Sequence, residues 1–113
     1  MSRQAHGLRA WLVQRVSAIY LGIFILYAVL HFVTSAPDSY QEWRQWMASP
    51  LVSILWGLAM LSLLAHAWVG IRDVFIDYVK PASLRITLLS VLAFALLGYG
   101  IWAAQVLFGV VNS

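Results

Sequence analysis

Four side chains in the stretch HAWVGIRDVFIDYVKP, residues 66–81, can do chemistry: His66, Asp73, Asp77 and Tyr78. At about 100° per residue, Asp73 falls roughly 20° to one side of His66 and Asp77 roughly 20° to the other, with Ser62 and Gly70 about 40° away. A helix would therefore carry one stripe holding an imidazole and two carboxylates. An imidazole can ligate a metal or a haem iron. A phenol can donate a hydrogen bond to a carbonyl, and a carboxylate beside it can hold water or pass protons.

The elements that must carry these groups are set by composition. The chain has 113 residues, 63% hydrophobic and 10% charged, where soluble domains carry about 25% charged residues. Three uncharged runs, 16–33, 51–71 and 86–111, approach or exceed the roughly 20 residues that span a bilayer as helix. The expected fold is an all-α integral membrane domain: a basic arm over 1–15, a first span over 16–34, a second over 51–71 with its helix protruding to about residue 80, and a third over 86–111. The first run is longer than a signal-peptide apolar core of about 7–15 residues, so it is read as a retained span. The connectors are too short to hold a core of their own.

Arg3, Arg9, Arg15, Arg72, Lys80 and Arg85 fall at the N-terminus and the second connector, and Arg44 alone in the first. Basic residues are retained on the cytoplasmic side, which places the N-terminus inside and the C-terminus outside. The pI of about 9.7 then reflects topology and requires no nucleic acid. Ser39 and Glu42 stand at capping-box spacing in the outer connector, with Tyr40, Trp43 and Trp46 at helical intervals, which predicts a short interfacial helix before Pro50. The chain has no cysteine, so it holds no disulfide, thioether-bound haem or cysteine-ligated cluster by itself.

An ionisable group within a span marks a functional hypothesis. His66 in a dry interior suits axial ligation of a b-type haem, and the plainer alternative is an imidazole satisfied by a neighbouring carbonyl or hydroxyl. His31 cannot be the second ligand: counted at 1.5 Å per residue, it and His66 come to lie near opposite faces of the bilayer. A second ligand must then come from another chain. His31 reads as an interfacial histidine, and His6 has no assignable role. Arg15, at about the depth of His66, could pair with haem propionates or with lipid phosphate. Tyr78 and Asp77 reach the inner interface, where they could serve a quinone or simply belong to the aromatic belt and helix end.

HAWVGIRDVFIDYVKP, together with VQRVSAIYL and SYQEW, resembles the small hydrophobic membrane-anchor subunit, the D-type cytochrome b subunit, of succinate dehydrogenase (respiratory complex II). The resemblance covers nearly the whole chain, and histidine followed eleven residues later by Asp-Tyr and then Val-Lys-Pro is its specific part. It implies half of a heterodimeric haem-binding helix bundle in the bacterial cytoplasmic (inner) membrane. It also implies haem b ligated by His66 and by the larger C-type anchor subunit, Arg15 on a propionate, Tyr78 on ubiquinone and Asp77 as a water or proton relay beside it. Arg9 stands where a relative has histidine near the haem, and is a second candidate for a propionate. Partners implied are the C-type, iron-sulfur and flavoprotein subunits and membrane lipid. Succinate itself would be oxidised elsewhere, because nothing in this chain binds flavin or clusters. A quinol:fumarate reductase anchor and a haem-free structural or transport three-helix protein remain open alternatives.

Overall fold

A computed structural model describes the backbone of residues 3–112 and the side chains of 7–112; the side chain of His6 lies outside the described residues. Four helices follow one another: α1 (Arg3–Thr34), α2 (Tyr40–Ala48), α3 (Pro50–Tyr78) and α4 (Ala82–Val111). Three of them, over Gly7–Thr34, Pro50–Tyr78 and Ala82–Val111, are long and apolar enough to cross a membrane. The basic arm expected before the first span is continuous with it, since α1 runs unbroken from Arg3.

The boundaries follow from local chemistry. Ser39 caps α2 by accepting from the Glu42 backbone N–H at 3.2 Å, while the Glu42 carboxylate accepts from the Asp38 N–H at 2.8 Å. The expected box is thus closed one residue earlier than the standard pattern. Pro50 opens α3, where its missing N–H would have had no partner anyway. At the other end Val79 donates to the Phe75 carbonyl at 3.0 Å, and Pro81 prevents the helix from continuing. The three-residue joint then releases α4.

α3 is the centre of the molecule: it packs against α1 on one side and α4 on the other, and α2 rests against α3 and α4, whereas α1 and α4 do not pack on each other among the described residues. The interior is thin. Phe24, Met47, Val52, Ala59, Val69 and Val110 are the buried apolar residues, and no described side chain is less than 2% exposed. Large apolar side chains cover the outside instead, Ile23, Val33, Leu51, Phe94 and Trp102 among them. Such a surface suits hydrocarbon and neighbouring helices in place of water.

Candidate functional site

His66 lies in the second half of α3, on the side that meets α1. Its Nδ1 is 3.1 Å from the Ser17 hydroxyl, and that hydroxyl is also 3.1 Å from the Gln14 carbonyl three residues back on α1. Ser17 is the one buried polar side chain among the described residues, 5% exposed. One turn inward the same contact continues: a Cβ built on Gly70 would lie 3.2 Å from the Gln14 Nε2, so glycine lets the Gln14 amide settle against the α3 backbone. The Gln14 Oε1 is buried without a partner.

Beside the serine-histidine contact runs an open apolar cleft of about 410 Å³, lined by Leu12, Val13, Val16 and Ser17 from α1 and by Leu61, Ser62 and Ala65 from α3. The small residues Ser62 and Ala65, four and one positions before His66, leave room at this wall. Arg9 precedes Val13 by four residues and Val16 by seven, so it belongs to the cleft's face of α1, about one turn before Val13 and two before Val16. Arg15 belongs to another face. Its guanidinium sits over the Trp11 ring, 5.4 Å from the centroid, and the structure does not bring it to His66.

α3 is helical throughout Pro50–Tyr78, so His66, Asp73 and Asp77 share the expected face, but they do not meet one another. Asp73 is bound by its neighbour Arg72 at 3.1 Å and does not meet His66, whose partner is the hydroxyl across the helix contact. Asp77 and Tyr78 lie in the last turn of α3, both exposed, Tyr78 to 79%. That turn holds no basic residue. A carboxylate there opposes the negative end of the helix dipole, so Asp77 is not placed for helix stability. Tyr78 lies roughly 18 Å further along the axis than His66.

His31 belongs to a separate aromatic cluster near the C-terminal end of α1. Its ring stacks on Trp46 of α2, with centroids 4.2 Å apart and planes 6° apart, and Trp46 also meets Tyr27, Phe32 and Trp56. His31 and the Ser17 level are fourteen residues apart on α1, roughly 21 Å, so the two histidines serve different ends of the molecule. Sequence reasoning missed Ser17, Gln14 and Trp46 as partners. A signal for Ser17 was present: Arg15 had been placed at the depth of His66, and Ser17 stands two residues beyond it.

The family model described as "Succinate dehydrogenase/Fumarate reductase transmembrane subunit" matches residues 1–102, which leaves only the last turns of α4 outside. The chain belongs to that family. It is 33% identical over 101 residues to the succinate dehydrogenase hydrophobic membrane anchor subunit of Coxiella burnetii (strain RSA 493 / Nine Mile phase I), with 89% of this chain and 88% of the relative covered. Membership in the succinate dehydrogenase/fumarate reductase family and three spanning helices make it a multi-pass anchor of the bacterial inner membrane. Among the described residues no group of three His, Cys, Asp or Glu side chains could hold a metal ion.

Proposed function

We propose that the chain is the anchor subunit of a succinate:ubiquinone oxidoreductase, sharing haem b with a larger C-type anchor subunit and completing a ubiquinone-reduction site. The observation that carries the reading is His66, whose one hydrogen-bond contact among the described residues is through Nδ1, beside an apolar cleft between two membrane helices. The donor chemistry fits a porphyrin: one imidazole, apolar walls, small residues at the contact, and cations inward of it for two carboxylates. His66 would supply one axial ligand, and the partner the other. Arg9 from the cleft's face, and Arg15 from the neighbouring one, would be the cations for the propionates. The haem, when bound, accepts and returns single electrons.

The quinone chemistry would fall to the end of α3. Reducing a quinone to a quinol takes two electrons and two protons. The electrons derive from succinate, oxidised in the flavoprotein subunit and delivered by the iron-sulfur subunit. The Tyr78 hydroxyl would donate to one quinone carbonyl and hold it at the interface, and Asp77 would hold water or hand protons to the developing oxyanion. Both side chains are exposed in the chain alone, as a site completed by other subunits requires. The succinate direction is favoured over fumarate reduction by the likeness to the succinate dehydrogenase anchor subunit of Coxiella burnetii.

The test is purification of the complex through this chain. Flavin and iron-sulfur subunits should travel with it, and dithionite should develop a b-type haem band that His66→Ala abolishes or disturbs. A complex without that band, or one whose low-spin haem spectrum and occupancy survive His66→Ala, would rule out His66 as ligand.

A further inference from the structure

We infer that Ser17 is a positioning residue that fixes the tautomer and ring orientation of His66; the inference rests on the reading of His66 as an axial ligand. A serine hydroxyl has one proton to give and two lone pairs to receive with. Here it stands 3.1 Å from the Gln14 carbonyl and 3.1 Å from the His66 Nδ1. With the proton given to the carbonyl, the second contact is a hydrogen bond only if Nδ1 carries the hydrogen. Nε2 then keeps its lone pair, the form that coordinates iron. The reverse arrangement, with the hydroxyl donating to Nδ1, puts the hydrogen on Nε2 and blocks ligation.

Two features favour the first arrangement. The Gln14 carbonyl belongs to the helix backbone, so the acceptor that takes the serine proton is fixed in place, and the burial of Ser17 keeps water from substituting for either partner. The bond also joins α1 to α3, so the ring is held by the helix pair and not by its own rotamer alone. Histidine ligands ordinarily donate their second nitrogen to a carboxylate, carbonyl or water, which orients the ring and raises its basicity. Asp73 and Asp77 do not fill that place here; Asp73 is taken by Arg72.

The experiment is redox titration and electron paramagnetic resonance of the purified whole complex carrying Ser17→Ala, Ser17→Thr or Ser17→Cys. Ser17→Ala removes the acceptor and leaves the imidazole a poorer donor to iron. The ratio of reduced to oxidised haem at a fixed poise should rise severalfold, with altered axial g-values. Ser17→Thr keeps the oxygen and should restore the wild-type ratio. Ser17→Cys, of similar size but a weaker acceptor, should shift in the same direction as Ser17→Ala and serves if the alanine variant does not assemble. Unaltered ratio and g-values in Ser17→Ala or Ser17→Cys, on a haem that still depends on His66, would overturn this inference alone. Equal disturbance by Ser17→Ala and Ser17→Thr would also overturn it, by showing a purely steric role. A wild-type complex without b-type haem, or a His66→Ala complex with an unaltered haem spectrum, overturns the ligand reading and this inference with it.

Discussion

At the level of single residues, the proposed division of labour separates by position on α3. Tyr78→Phe keeps the ring and deletes only the hydroxyl. Losing one such hydrogen bond is worth about 0.5–1.5 kcal/mol, so succinate:ubiquinone activity should fall severalfold. Succinate oxidation with an artificial acceptor upstream of the quinone site should stay near normal, and unchanged quinone reduction would return Tyr78 to the aromatic belt. The two arginines offer a second comparison. Arg9 shares the cleft's face while Arg15 is occupied by Trp11, so Arg9→Leu should shift haem potential at least as much as Arg15→Leu, and both less than His66→Ala disturbs the spectrum. Redox titration of the three complexes would decide it, and a shift confined to Arg15→Leu would reverse the assignment.

At the level of elements, the three long apolar helices, the short helix α2 and the end of α3 are legible because each has a local cause: uncharged length, a serine three residues before a glutamate, a proline that forbids continuation. The pairing of elements was not legible in the same way. Helical periodicity put Asp73 and Asp77 on the stripe of His66, yet the partner came from α1, because rotation of one helix against another is set by packing that no single periodicity encodes. The Gly70 contact with Gln14 is of the same kind: a lone glycine in a span reads only as a small residue until its neighbour is known. The outer cluster makes a testable contrast. His31→Leu removes the stack on Trp46 while keeping apolar volume, and should lower the thermal stability of the detergent-solubilised complex by about 0.5–1.5 kcal/mol. Its haem spectrum should not change, since the stack is roughly 21 Å from the Ser17 level.

At the level of the whole molecule, α3 has neighbours on two sides and the chain has little buried interior. On the proposed reading, a bundle built this way is completed by the larger anchor subunit. Expressed without its larger anchor partner, the chain should insert but bind no six-coordinate haem, and co-expression should restore the b-type band. Absorbance spectra of the two membrane preparations would show it; a stable low-spin haem in the chain alone would mean that both ligands are internal.

α3 runs without proline from its second residue to Tyr78, so the proposed haem ligand His66 and the proposed quinone contact Tyr78 would ride on one stiff rod. Their spacing is then a property of the helix, independent of the lipid around it, whereas their depth is not. A thinner or thicker bilayer is met by tilting, and the rod is steadied at its outer end by α2, which leaves Tyr78 as the tip with the longest travel. Reconstituted into bilayers of graded acyl length, the complex should lose quinone reduction well before its haem spectrum changes. On that reading, lipid thickness would control quinone reduction at the water boundary and leave a haem held at His66 undisturbed.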